Sequence, residues 1–312
     1  MNHPPADLSK LKLSDLEVRK SIVQKGMLGR PWRAGGSLAE FVDGLPHVLA
    51  AQELRAAAQA TVDARRAGRP VILAMGAHVI KVGLSPLLIA AMEAGVITSL
   101  VMNGAGMIHD VEMALAGRTS EDVAASLADG SFGTARQTGE FISGALAGHA
   151  DLGLGRAVGQ AVLERAPNQE ISLLAAGARL NVPVTIHVAV GADIIHMHPS
   201  FDPAATGLGS HVDFRLLISA VRELKNGVYF NVGSSVVLPE VFLKALSAAR
   251  NLGSEVKDFT TVNMDMIRHY RPMQNVVRRP VLTGGLGINL TGHHEINLPL
   301  LLALVTEGLA QG

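Results

Sequence analysis

Five short apolar runs punctuate a chain that otherwise alternates with helical spacing. Residues 71–75 and 99–102 are continuous or nearly continuous in apolar side chains, and 183–190, 228–232 and 259–264 are β-branched, aromatic and mostly or partly apolar. Runs of that length without alternation are expected of parallel strands covered on both faces. Between them, apolar residues recur every three or four positions. The spacing predicts one helix over 37–67, with Leu38, Phe41, Val42, Leu45, Val48 and Leu49 on one side. It predicts a second helix capped by Ser85, opened by Pro86 and stopped at Gly95. Further helices are expected over 108–115, 123–128 (capped by Ser120), 135–146, 155–164, 170–180 (ending at Asn181) and 211–224, then from Pro239, and over 297–309. Residues 1–36 read as a surface arm with one anchoring aromatic, Trp32. Residues 200–210 and 265–296 read as irregular. Strand and helix alternate without a break in composition, so the predicted fold is α/β, a doubly wound and mainly parallel sheet. The expected division is an arm and helix over 1–69 and one α/β domain over 70–312.

In such sheets ligands sit beyond the carboxyl ends of the strands. Two turns there stand out: Asn103-Gly104-Ala105-Gly106 and Gly233-Ser234-Ser235. A strand that enters a glycine turn opening a helix gathers unpaired backbone N–H groups, which suit an anion or polar ligand. The first turn is not the usual dinucleotide fingerprint, because His109 stands where the third glycine would fall. The glycine-rich stretch 129–155 is either a covering loop at the sheet edge or part of an active-site cover or subunit contact.

Composition narrows the classes. The chain has 312 residues, 48% hydrophobic and only 17% charged, with 27 Lys and Arg against 27 Asp and Glu. With no basic excess, nucleic acid and anionic membranes are not expected partners. There is no cysteine, hence no disulfide, thiolate metal site or cysteine nucleophile. No leader and no apolar run of membrane-spanning length is evident, and a cytoplasmic location is expected. The mean hydropathy of +0.29 suggests apolar surface shared between subunits.

Taken together, the turns resemble the deoxyhypusine synthase family over roughly residues 70–310. LVMNGAGMIHDVEMAL is similar to that family's strand, Ala-Gly-Gly turn and acidic helix start, with Asn103, Gly104, Ala105, Gly106 and Asp110 on the matched positions. VPVTIHVAVGAD resembles the strand leading to its Thr-Asp-Gly-Ser turn and matches Asp193. HVDFRLLISAVRELKNGVYFNVGSSVV resembles its acidic-Leu-Arg helix (Asp213), next strand and glycine turn, placing Gly233, Ser234 and Ser235 there. Asn263 matches an asparagine after the following strand, and LPLLLALVTEGL matches the last helix. The resemblance implies a Rossmann-like fold, bound NAD and a homotetramer with sites between paired subunits. It also implies oxidation of spermidine and transfer of an aminobutyl group to lysine. The departures exclude that reaction here. The nucleophilic lysine's Trp-Gly-Lys stretch is replaced by VVRRPVLTGGLGINL. The Lys-His-His after the glycine turn is Leu238-Pro239-Glu240, and the paired glutamates are Ile108 and His109. Without the lysine there is no amine to form an imine.

What remains at the predicted ligand edge is histidine chemistry. His78 and Lys81 follow the first strand, His109 the glycine turn, His196 and His198 the third strand, and His293 and His294 precede the last helix. His109, Lys81, His196 and His293 are the candidate catalytic groups. His196, His198, His211 and His294 are candidate ligands for a divalent metal. Arg268, Arg271, Arg278 and Arg279 could hold a phosphate or carboxylate, or form a solvated strip. Three readings stand. One is an NAD-binding enzyme acting on a small amine or related metabolite, using the two turns. The second is a histidine-ligated metal-dependent lyase or hydrolase, and the third a non-catalytic ligand-binding protein.

Overall fold

The computed structural model describes residues 3–311. Its contacts divide the chain into two compact units, Met1–Gln52 and Glu53–Gly312. In the first unit a single turn of 3-10 helix, Lys25–Met27, precedes helix α1 (Leu38–Gly44). Ser37 caps α1 through a reciprocal box: its hydroxyl accepts from Glu40 N–H while the Glu40 carboxylate takes Ser37 N–H. The helix expected over 37–67 is broken. Pro46 drives Leu45 into extended backbone (φ −63°, ψ 150°), ending α1 before α2 (Leu49–Arg66) begins. Trp32 does not anchor the arm from within; it is half exposed and lies over Gly36.

The second unit carries six strands: β1 (Val71–Met75), β2 (Ser99–Asn103), β3 (Val184–His187), β4 (Val228–Val232), β5 (Phe259–Asp265) and β6 (Gly285–Thr291). All neighbours pair in parallel, in the order β3-β2-β1-β4-β5-β6. After β1 come α3 (His78–Lys81) and α4 (Ser85–Glu93), and after β2 come α5 (Gly104–Ala116), α6 (Val123–Leu127), α7 (Arg136–Leu146), α8 (Leu154–Arg165) and α9 (Leu173–Leu180). Helix α10 (Pro203–Arg222) joins β3 to β4, and α11 (Val237–Asn251) joins β4 to β5. A short α12 (Tyr270–Pro272) runs into a π-helix, Met273–Arg278, ahead of β6, and α13 (His294–Ala310) closes the chain. Alternate strand residues serve two cores. Val71, Leu73, Met75, Met102 and Ile186 pack under α2, α4, α5, α7, α8, α9 and α13; Ile72, Ala74, Val101, Tyr229 and Phe259 pack under α10 and α11. Burial on both faces is why these strands carry no polar alternation.

Several boundaries differ from expectation, each for a local reason. Ser85 is the first residue of α4 rather than its cap. Asp122, not Ser120, caps α6, its carboxylate accepting from Ala124 and Ala125 N–H; Ser120 instead adopts a left-handed φ of +68°. The turn at Gly104 is already helix, because the Asn103 side chain accepts from Gly106 N–H and starts α5 at once. Strand β3 stops at His187, and Val190 stands in solvent. The loop expected over 200–210 is the first half of α10, capped by Asp202 and opened by Pro203. Gly209 inside it lets α10 close on α8, since a Cβ there would lie 3.1 Å from Leu154 Cγ. Strand β6 was hidden by its glycines; a Cβ on Gly287 would sit 1.9 Å from the Val277 carbonyl of the π-helix.

Candidate functional site

The sheet order reverses between β1 and β4, so the ends of those two strands flank the crevice where ligands bind in open α/β sheets. Both strands end in glycine there. Gly76 N–H donates to the Val232 carbonyl at 2.9 Å, and a Cβ on Gly76 would lie 2.4 Å from the Gly233 carbonyl. Gly233 itself has φ +67°, and its missing Cβ leaves room for the His294 ring, whose Nε2 would stand 2.6 Å away. His294 packs edge-on to His78 at 5.9 Å between ring centres. Burial holds the His294 imidazole below its usual range, against the pull of Asp265, and its Nδ1 has no hydrogen-bond partner among the described residues.

Ser234 and Ser235 complete this turn. The Ser234 hydroxyl accepts from Leu238 N–H at 3.2 Å, and the Ser234 carbonyl takes the Asn231 side-chain amide at 2.9 Å. Beneath it an amide ladder crosses three strands in register: Asn231 donates to Asn263 and Asn263 to Asn289, each at 2.8 Å. Asn263, expected beside a cofactor, is therefore committed to its neighbours. Val236 precedes α11 without a side-chain cap of its own; the Ser234 hydroxyl serves the helix start instead, and the acid of its first turn, Glu240, is turned to Lys244, Arg271 and Asn275.

The first turn is different. Asp193 brings its carboxylate onto the start of α5, where it accepts from Ala105 and Ala189 N–H; a Cβ on Gly104 would meet its Oδ2 at 2.1 Å. Burial pushes the Asp193 carboxyl up, while these bonds and His196 pull it back. The N–H groups of Ala105 and Gly106, expected to face a ligand, are thus taken by Asp193 and Asn103. A dinucleotide pyrophosphate at this point would meet a carboxylate; at the turn after β4 the first-turn acid, Glu240, is instead paired with Lys244, Arg271 and Asn275.

Two further acids expected at a cofactor are buried scaffolding. Asp110 accepts from Ser172 Oγ (2.5 Å), Leu173 N–H (2.8 Å) and Leu174 N–H (3.1 Å), holding the start of α9. Asp213 accepts from Gly155 N–H (2.9 Å) at the start of α8 and from Ile186 N–H (2.7 Å) of β3. Burial pushes the Asp110 carboxyl up to about 6 and the Asp213 carboxyl up to about 7, against those bonds.

The histidines scatter. His196 Nδ1 accepts from Gly191 N–H, and its ring stands edge-on to Phe201 at 4.9 Å. His198 Nε2 bonds the Gly133 carbonyl, while His211 and His293 are exposed. His294 belongs to the β1–β4 crevice. Among the described residues no group of three or more His, Asp or Glu side chains could hold a metal ion. The arginines likewise serve local partners, Arg268 on Thr291, Arg271 on Glu240 and Arg279 on Asn275.

Lys81, Ala105, His109 and Asp193 do come together. They line a cavity of about 200 Å³ with Glu112, Glu121 and the apolar Ile108, Phe132 and Ile194. Glu112 was missed in the sequence, although its place three residues after His109 puts it on the same helix face. Glu121 and Thr119 arrive from the strap after α5, for which spacing carries no signal. Glu112 accepts from Thr119 and, at 3.2 Å, from Thr138; the Glu121 carboxylate accepts from Gly133 N–H at 2.8 Å. Burial alone would raise the Glu112 carboxyl, but His109, Thr119 and Thr138 together hold it below the ordinary carboxylate value.

No protein-family model matches the sequence, and no curated protein matches it. Solved structures do share the fold. A conserved protein of Methanococcus maripaludis described as LOR/SDH is 19% identical, with a TM-score of 0.52 over 82% of this chain and 69% of its own. A protein of Entamoeba histolytica described as a deoxyhypusine synthase is 10% identical, with a TM-score of 0.52 over 89% of this chain and 96% of its own. AgrE, solved in a ternary complex with ornithine and NAD+, is 13% identical with a TM-score of 0.51 over 85% of this chain, which spans only 34% of AgrE. At these identities the likeness is one of fold: a Rossmann-like, six-stranded parallel sheet shared with deoxyhypusine synthase-like structures.

Proposed function

We propose that this chain is an NAD-binding enzyme acting on a small amine, and not a deoxyhypusine synthase. The observation that carries the reading is the turn after β4. It lies at the point where strand order reverses, its glycine is left-handed, its serines are small, and the side chain that meets the start of the 15-residue helix behind it is a neutral hydroxyl, Ser234 on Leu238 N–H. Gly233, Ser234 and Ser235 would hold the dinucleotide there, and the nicotinamide would supply a hydride acceptor or donor. NAD+ and ornithine in AgrE, on a related fold, are consistent with the assignment. The cavity beside Lys81 suits the amine. Its wall carries three carboxylates, Glu112, Glu121 and Asp193, against one ammonium, a potential that draws a small cation.

Titration calorimetry with NAD+ tests the reading. Ser235→Glu places a second anion at the turn and is expected to weaken NAD+ binding at least tenfold while the far-ultraviolet spectrum stays unchanged. Equal affinity in the variant would remove the dinucleotide from this turn. NADH formation during a screen of small primary amines tests the substrate class.

A further inference from the structure

His109 is held in an unusual way. Its Nδ1 lies 2.6 Å from Thr119 Oγ1, and the same hydroxyl donates to Glu112 Oε2. A threonine hydroxyl has one proton. Given to the carboxylate, it leaves the oxygen able only to accept, so the ring must present Nδ1–H to it. Glu112 is fixed from the other side by Thr138, and its Oε2 lies 3.7 Å from His109 Nδ1. The ring lines the cavity beside Lys81, and the bond to Thr119 engages Nδ1.

We infer that Thr119 and Glu112 are positioning residues that set the tautomer of His109, leaving Nε2 as an unprotonated base facing the cavity. The arrangement follows the logic of a base oriented by a third group, with a hydroxyl relaying the carboxylate's charge. In the step it serves, Nε2 takes one proton from a substrate ammonium or hydroxyl. The N–H or O–H bond breaks, an N–H bond forms on the ring, and the substrate keeps the electron pair. The resulting imidazolium faces Glu112 through Thr119, which offsets its charge inside a half-buried site. The role of Nε2 as a base rests on the reading of this cavity as the substrate site; the tautomer does not.

Long-range proton–nitrogen NMR of the imidazoles at alkaline pH, with the His109 signals assigned by their loss in His109→Gln, tests the inference. Wild type is expected to show Nδ1–H and a bare Nε2. Thr119→Val removes the acceptor and should move at least half of the population to Nε2–H, while Thr119→Ser restores the wild-type pattern. Glu112→Gln, a second and milder change, should shift the population in the same direction. A wild-type Nε2–H tautomer, or a Thr119→Val spectrum identical to wild type, overturns the inference. NAD+ titration of wild type and Thr119→Val separates the two ideas. Loss of NAD+ binding from the wild type would defeat the functional reading and leave the tautomer standing.

Discussion

At the scale of single residues, the polar groups left without partners say most. Tyr229 lies fully buried, stacked on Phe242 at 3.6 Å between ring centres, and its hydroxyl has no hydrogen bond among the described residues. Burying a hydroxyl unpaired costs about 1–3 kcal/mol. Tyr229→Phe is therefore expected to raise stability by about 1 kcal/mol in urea unfolding; a loss would mean the hydroxyl has a partner after all. His187 is the pH-sensitive counterpart. Burial against Phe214 pushes its pKa down to about 4, so between that value and the ordinary 6.5 the unfolded chain binds more protons. Its contribution to stability is complete above pH 6.5 and is lost as pH falls toward 4. Asp110 and Asp213, raised to about 6 and about 7, act in the opposite sense, losing stability as pH rises through the same window. His187→Gln should thus make the protein relatively more stable at pH 5 than at pH 7, measured by urea midpoints at both. An unchanged pH dependence would show that the ring is not buried neutral. Gly104 supplies a packing test. Gly104→Ala drives a Cβ into Asp193 and should cost about 2 kcal/mol, much of it recovered in the double variant with Asp193→Gly. Strict additivity in that cycle would separate the two residues.

At the scale of elements, helix starts are governed by carboxylates from distant parts of the chain. Asp110 belongs to α5 yet caps α9, and Asp213 belongs to α10 yet caps α8. Asp110→Asn replaces an acceptor oxygen with a donor amide beside the Leu173 or Leu174 N–H. It is expected to cost about 1–3 kcal/mol and to speed amide exchange across residues 173–180. Unchanged exchange there would mean that α9 does not depend on Asp110. The same arrangement marks what was legible in the sequence. Strands β1 and β4 were read to the residue, since a short run of apolar and aromatic side chains bounded by Gly or Pro has few alternatives, even with Asn231 inside β4. Asn181 was read as a helix end, and it does take the left-handed φ of +54°. Asp110, Asp193 and Asp213 were located correctly in the chain but given to a ligand, because sequence does not show which N–H groups fold back to meet a carboxylate. Glycines misled in both directions. At Gly207 and Gly209 they read as loop but lie within α10, and at Gly287 they obscured a strand whose neighbour needs the space.

At the scale of the whole molecule, the pairing of β1 with β4 was invisible in the sequence, since strand order depends on crossovers and not on local pattern. That pairing sets the turn at Gly233 beside the end of β1, which is why the proposed dinucleotide site is placed there and not at Gly104. The molecule also leaves Val236, Met266, Ile267, Tyr270 and Ile296 exposed, most of them beyond the carboxyl ends of β4–β6. Together with the low charge, this predicts self-association. Light scattering after size exclusion should give a mass of at least two chains at micromolar concentration, and a monomer would contradict it. Such assembly is not expected to use β3. The outward N–H of Ile186 is taken by Asp213, its carbonyl by the Ser210 hydroxyl, and Gly155 closes on the Val184 carbonyl. Three residues from two helices thus act as a hem along that border. A stray strand finds no ladder to join there, so cross-β growth is blocked at this margin while the native chain stays folded.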